Sequence, residues 1–138
     1  MLSHLTEIRV RYADTDQMHC VYNGKYLEYF EVGRAEMMRH YGLDYKAVES
    51  KGYFLPLSEA HVKYIAPAYY DDIILVKAFV KEFPSLKIHI DYSLSRRENN
   101  ETVAEGFTEH VFLSKDSNKV VRPPAFFINA IKSFYDKK

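Results

Sequence analysis

The stretch from Lys25 to Tyr41 restricts the folds open to this chain more than any other segment. Turned at about 100° per residue, it places Tyr26, Phe30, Gly33, Met37 and Tyr41 on one stripe, which Leu27 and Met38 widen. Lys25, Glu28, Glu36 and Arg39 collect on the other side. An apolar arc this broad suits a helix wrapped by a sheet better than one lying on a surface. Gly33 inside the arc costs about 1 kcal/mol relative to alanine, which predicts that another backbone comes close there. Arg34 falls in the middle of the same arc and Glu31 at its edge. A charge so placed needs a partner. Two readings follow: an (i, i+3) ion pair that fixes the helix, or a pair in which Arg34 or Glu31 orients a neighbouring catalytic loop.

The rest of the chain supplies material for the sheet. Ile8, Val10 and Tyr12 alternate with Glu7, Arg9 and Arg11, predicting a first strand from Thr6 to Tyr12. After a short irregular piece from Asp44 to Lys51 come four β-type runs: Tyr53 to Ile65, Ile73 to Phe83, Leu86 to Ser95 and Thr102 to Leu113. In the third, Leu86, Ile88, Ile90, Tyr92 and Leu94 face one way and Lys87, His89, Asp91 and Ser93 the other. The apolar parity of the first run changes near Glu59, the mark of a bulge or bend. Pro84 with Ser85, and Arg97 to Asn100, supply turns for an antiparallel meander. Past Pro123 and Pro124, the spacing of Phe126, Phe127, Ala130, Ile131 and Phe134 predicts a helix to the C-terminus. With no linker or repeat in its 138 residues, the chain reads as one α+β domain, 1–138, with a mainly antiparallel sheet.

Charge removes several function classes. Lys plus Arg number 19 and Asp plus Glu number 19, so no field of one sign favours nucleic acid or an anionic membrane as the main partner. No apolar run is long enough to span a bilayer, and the start lacks the apolar core of a signal peptide. The single cysteine, Cys20, offers neither an internal disulfide nor metal-ligand spacing, and no metal is expected. The chain reads as cytoplasmic.

Ionisable groups concentrate between Tyr12 and Asn23, directly before the long helix: Asp14, Asp16, His19 and Cys20. A helix start carries unpaired amides and a partial positive charge, and a carboxylate beside it can attack a carbonyl or activate water. By spacing alone, however, Asp14, Thr15, Asp16 and Asn23 read as turn and cap residues. His19 and Cys20 suggest a nucleophile pair, but sequence neighbours seldom point at one another and no third residue is evident to orient the imidazole. Lys63, Lys87, Arg96, Arg97, Lys115, Lys119 and Arg122 are scattered basic residues, either solvated surface or receivers of phosphate.

Taken as a set, Tyr12, Asp14, Thr15, Asp16, Val21, Tyr22, Asn23, Tyr26, Tyr29, Phe30, Glu31 and Arg34 resemble the 4-hydroxybenzoyl-CoA thioesterase family of hotdog-fold enzymes. Val62 to Ala68, with Asp71 and Asp72, resemble the same family's second strand and turn. The resemblance implies a curved five-stranded sheet around the long helix, and subunits joined edge to edge into a dimer, often paired into a tetramer, with active sites at the interface. It implies hydrolysis of an acyl-CoA or acyl-carrier thioester with Asp16 as nucleophile or general base and the amides of Tyr22, Asn23 and Gly24 polarising the carbonyl. Coenzyme A would be part of the substrate, and no separate cofactor is implied. Met18, His19 and Cys20 replace a Gly-rich segment found in many relatives, so His19 becomes a candidate to assist Asp16 or shape the acyl pocket. Ser85 matches a position near the bound coenzyme, and Lys63, Lys87 and Arg122 are candidates for its phosphates. A dehydratase on the same fold, or a noncatalytic acyl-CoA-binding or scaffold protein, are the rival readings.

Overall fold

The computed structural model describes residues 1–136. In chain order the elements are β1 (Leu2–Arg9), α1 (Lys25–His40), α2 (Tyr45–Ser50), β2 (Tyr53–Phe54), β3 (Leu57–Tyr64), β4 (Ile73–Val80), β5 (Ile88–Arg96), β6 (Thr102–His110), β7 (Phe112–Ser114), β8 (Val120–Val121) and α3 (Ala125–Ile131). Five strands form one antiparallel sheet in the order β1-β4-β5-β6-β3, while β2, β7 and β8 make a small second sheet. This is the hotdog arrangement: the large sheet curves around α1.

The apolar arc of α1 explains the wrapping. Tyr26, Tyr29, Phe30, Gly33, Arg34, Met37 and Met38 are all buried. Phe30 stacks on Tyr92 of β5 with centroids 4.3 Å apart, joining helix to sheet. Leu27, expected in the arc, is exposed instead. At Gly33 the close neighbour is not backbone, as expected, but a side chain: a Cβ there would lie 2.5 Å from Val76 Cγ1 on β4. The close backbone approach occurs at Gly106 of β6, where a Cβ would run into the His61 carbonyl of β3 and the Phe30 ring. Only glycine lets α1 and the two strands meet there.

Several boundaries differ from the sequence reading for identifiable reasons. β1 begins at Leu2 and ends at Arg9, and Tyr12 is 79% exposed at the start of a 3-10 turn. The supposedly irregular piece after Asp44 contains α2, a helix of six residues that buries only Val48 and so shows little periodicity. The run from Tyr53 is cut by Leu55 and Pro56 into β2 and β3, with the anticipated irregularity between Leu57 and Glu59. β6 likewise ends at His110, and β7 leaves to pair with β2 and β8. The closing helix stops at Ile131 and continues as a 3-10 turn to Phe134; residues 137 and 138 of the expected helix lie outside the described residues.

β3 stands apart from its neighbours. It is a sheet edge of eight residues, exposed at every position but Val62. β4 and β5, in the middle, bury alternate side chains, as half-buried strands should.

Candidate active site

The loop between β1 and α1 is built around two turns. Asp14 closes the first. Its carboxylate is 2% exposed and accepts from the Arg11 amide at 3.1 Å, the Arg11 guanidinium at 3.0 and 3.2 Å and the Tyr29 hydroxyl at 2.8 Å. Burial alone would raise the Asp14 pKa, but the Arg11 amide, the Tyr29 hydroxyl and the Arg11 guanidinium outweigh it and hold the carboxyl below its ordinary value. Burial and the same contact raise the Tyr29 phenol. Asp14 is therefore an ionised anchor between the loop and α1, a role that turn propensity does not reveal.

The second turn carries Asp16. The Asp16 amide donates to the Cys20 carbonyl at 3.0 Å and the His19 amide to the Asp16 carbonyl at 2.9 Å, with Thr15 and Val21 bridged as in a tight hairpin. His19 takes the left-handed conformation the turn demands, φ 66°. The loop is pinned below by the Val21 amide on the Ala68 carbonyl, 2.8 Å, and the Tyr22 amide on the Asp14 carbonyl, 2.9 Å. Asp16 Oδ1 accepts from the Met18 amide at 2.9 Å and lies 3.9 Å from Cys20 Sγ. Its other oxygen, Oδ2, has no hydrogen-bond partner among the described residues.

Asp16 belongs to the lining of a pocket of about 370 Å³ shared by the loop (Met18, Cys20), the helix start (Asn23, Tyr26) and the end of β3 (Tyr64, Ile65). The helix start is open. Gly24, the cap residue, provides no side-chain cap, and the Asn23 and Gly24 amides donate to no acceptor among the described residues. The Tyr22 amide is committed to Asp14, so of the three candidate donors two remain available. Tyr64 ties the pocket's two sides together by donating its hydroxyl to the Asn23 carbonyl at 3.0 Å. The far wall is held by Arg96, buried beside the Asp72 and Glu101 carboxylates, whose guanidinium donates to the Pro67 carbonyl. Arg96 is thus used structurally and is not a free phosphate receiver. Desolvation pushes the Tyr26 phenol up to about 12, so the deepest aromatic of the pocket stays neutral.

The remaining expected residues lie elsewhere. The His19 side chain is exposed and makes no hydrogen bond to Asp16 or Cys20, which removes the geometry for a nucleophile pair. Lys63 lines a different pocket, on the opposite face of β3, with His61 and Lys81. Lys87 pairs with Glu109 at 3.6 Å, and Ser85 and Arg122 sit in exposed segments after β4 and β8. None of these four lines the Asp16 pocket. Glu31 is exposed and forms no pair with Arg34, whose partners are the Tyr45 and Tyr92 hydroxyls. Cys20 and Tyr64 line the pocket. By sequence Tyr64, with Tyr53 and Phe54, is readable either as pocket lining or as core; it shares the parity of Val62 on β3.

Comparison with known proteins agrees with this geometry. The chain is 28% identical over 126 residues to the 1,4-dihydroxy-2-naphthoyl-CoA hydrolase of Synechocystis sp. PCC 6803, covering 91% of each. It is 27% identical over 92 residues to the acyl-CoA thioester hydrolase YbgC of Escherichia coli O6:H1, covering 67% of this chain and 69% of that one. The structure superimposes on a DHNA-CoA thioesterase from Staphylococcus aureus with a TM-score of 0.87 at 28% identity, covering 98% of this chain and 90% of the other. Residues 10–131, which include every element that builds the pocket, match the thioesterase-like superfamily, and the chain belongs to that family.

Proposed function

We propose that the chain hydrolyses an acyl-CoA or related acyl-carrier thioester to the free acid and thiol. The observation that carries this reading is that Asp16, whose Oδ2 has no partner among the described residues, lines a pocket whose other side is an uncapped helix start. A thioester carbonyl set between them meets Asp16 on carbon and the Asn23 and Gly24 amides on oxygen. Oδ2 then either attacks the acyl carbon, expelling the thiolate of coenzyme A and leaving a mixed anhydride for water to cleave, or takes a proton from the water that adds. In both routes the amides stabilise the charge that develops on oxygen, and the thiolate leaves without a general acid. Coenzyme A is part of the substrate and no other cofactor enters. The relatives' names place hydroxynaphthoyl thioesters in the substrate panel beside alkyl ones. No helix among the described residues is long and apolar enough to cross a membrane.

The working form is a homodimer joined through β3. This edge is bare on both faces, and Met18, Tyr22, Leu57, Tyr64 and Ile65 around it are large apolar residues left exposed. Its charges are self-complementary. Antiparallel pairing puts facing residues on the same face, so a two-fold axis must pass through a residue of the strand. At His61 it sets Lys63 against Glu59 of the partner subunit, twice over. Two such dimers pairing again would give a tetramer.

An acyl-CoA panel read by free-thiol release tests the activity: release from at least one ester is expected, and silence across alkyl, aryl and acyl-carrier substrates favours a binding module. Sedimentation tests the dimer. Glu59→Lys is expected to weaken it and Glu59→Lys with Lys63→Glu to restore it; a dimer indifferent to both changes contradicts the β3 pairing.

A further inference from the structure

The middle of α1 holds a polar cluster for which the hydrolysis described above has no use. Arg34 is 9% exposed, donates Nε–H to the Tyr45 hydroxyl at 2.5 Å and Nη1–H to the Tyr92 hydroxyl at 3.1 Å, and has no carboxylate in ion-pair reach among the described residues. The Leu55 carbonyl can only accept and the guanidinium can only donate, and with a neutral His110 these two ends set the direction of the bonds between them. Tyr92 donates to Thr108 Oγ1 at 2.7 Å, Thr108 to His110 Nε2 at 3.0 Å, and His110 Nδ1–H to the Leu55 carbonyl at 3.3 Å. Burial first, and the Arg34 charge second, push His110 down to about 4, which matches the neutral tautomer this chain requires. The Tyr45 proton and Arg34 Nη2 are left with no acceptor among the described residues.

Arg34 and Tyr45 line a pocket of about 320 Å³ together with Phe54, Leu55, Pro56, Leu57 and His110. Glu49 also lines it but forms no ion pair with Arg34 among the described residues. An apolar pocket that ends in an unneutralised cation and a free hydroxyl is built for an apolar group that ends in an anion. Arg34 is ten residues beyond Gly24, about 15 Å along the helix, too far for a short acyl chain held at the same subunit's Asp16. Pairing through β3 changes the distance. It brings the segment before β3 of one subunit beside the end of β3 of the other, which is the wall of the Asp16 pocket.

We infer that the Arg34 pocket of one subunit receives a carboxylate at the far end of the acyl group held at the partner's Asp16, making ω-carboxyacyl thioesters the preferred substrates. This rests on the thioesterase reading and on the β3 dimer, and it adds a specificity that neither contains. A methyl-ended chain in the same place leaves the buried cation with no counter-charge. A carboxylate takes charge-assisted hydrogen bonds from Arg34 and Tyr45.

Calorimetric binding to the Asp16→Asn protein, which is expected to hold thioesters without turning them over, tests the inference directly. Succinyl-, glutaryl-, adipyl- and suberyl-CoA are compared with butyryl-, valeryl-, hexanoyl- and octanoyl-CoA. At least one carboxyl-ended ester is expected to bind about tenfold or more tighter than its methyl-ended counterpart. Arg34→Met in the same background should erase the difference. Tyr45→Phe, which preserves packing if Arg34→Met does not fold, should reduce it. Equal affinities within every pair overturn the inference, as does an Arg34→Met or Tyr45→Phe protein that keeps the full preference. Wild-type hydrolysis of methyl-ended esters alongside equal binding would sink the pocket assignment alone, whereas an absence of hydrolysis with every ester would count against the thioesterase reading and leave the binding comparison to decide this one.

Discussion

Asp14 and Asp16 stand two residues apart in one loop, and their surroundings are opposite. The Asp14 half is closed: both oxygens are bonded, by an amide, a guanidinium and the Tyr29 hydroxyl, and the carboxylate is shut off from water. The Asp16 half is open: one oxygen steadies the turn through the Met18 amide, the other has no partner among the described residues, and Asp16 lines the pocket. A saturated carboxylate has no lone pair to offer a substrate. In the proposed mechanism an unreactive acid positions the reactive one, since Asp14 fixes the loop on α1 and so fixes where Asp16 sits.

The largest effect is expected on the closed side. Asp14→Ala leaves the Tyr29 hydroxyl buried without an acceptor and frees the loop, and should cost about 2–3 kcal/mol of stability, a fall in melting temperature of roughly 5–10 °C by calorimetry. Tyr29→Phe removes a single donor from the same carboxylate and should cost about 1.5 kcal/mol. If either variant melts like the wild type, Asp14 is not an anchor.

Acid provides a subtler test. The Asp14 pKa is lowered in the folded state, so the unfolded chain binds a proton first as pH falls, and the stability Asp14 contributes is fully present above the unfolded value of about 4 and lost as pH drops through the folded value. Urea midpoints measured on the acid side should therefore decline less steeply in Asp14→Asn than in the wild type. The smallest effect is expected at His19. Glycine relieves the left-handed turn, so His19→Gly should gain less than about 1 kcal/mol, and thiol release should stay as it is because the imidazole does not touch Asp16. A large loss of turnover there would return His19 to the chemistry.

Much of the scaffold was legible because it is repetitive. The arc of α1 and the strict alternation of Ile88, Ile90, Tyr92 and Leu94 repeat a burial pattern that only a wrapped helix and a half-buried strand produce. Short elements that bury little, such as α2 and β8, left no such trace. Within the site, Asp16 was legible through its place in a recognisable motif and not through spacing. Asp14 was hidden because the acid that caps a turn and the acid that anchors one have the same sequence, and what separates them is Tyr29, fifteen residues away on the helix. Arg34 shows the limit from the other side. Its burial could be foreseen, but its partners could not: they come from α2 and β5 and not from the neighbouring Glu31.

In the proposed mechanism Asp16 does the chemistry with its charge, while its turn is steadied by a contact that an amide in its place would keep. Thiol release by Asp16→Asn, followed together with its melting temperature, tests this most directly, because the substitution keeps the shape and the Oδ1 contact and removes the charge. The expected result is turnover lowered by about 10²- to 10⁴-fold with the melting temperature unchanged. Wild-type thiol release from a folded Asp16→Asn protein would contradict the account.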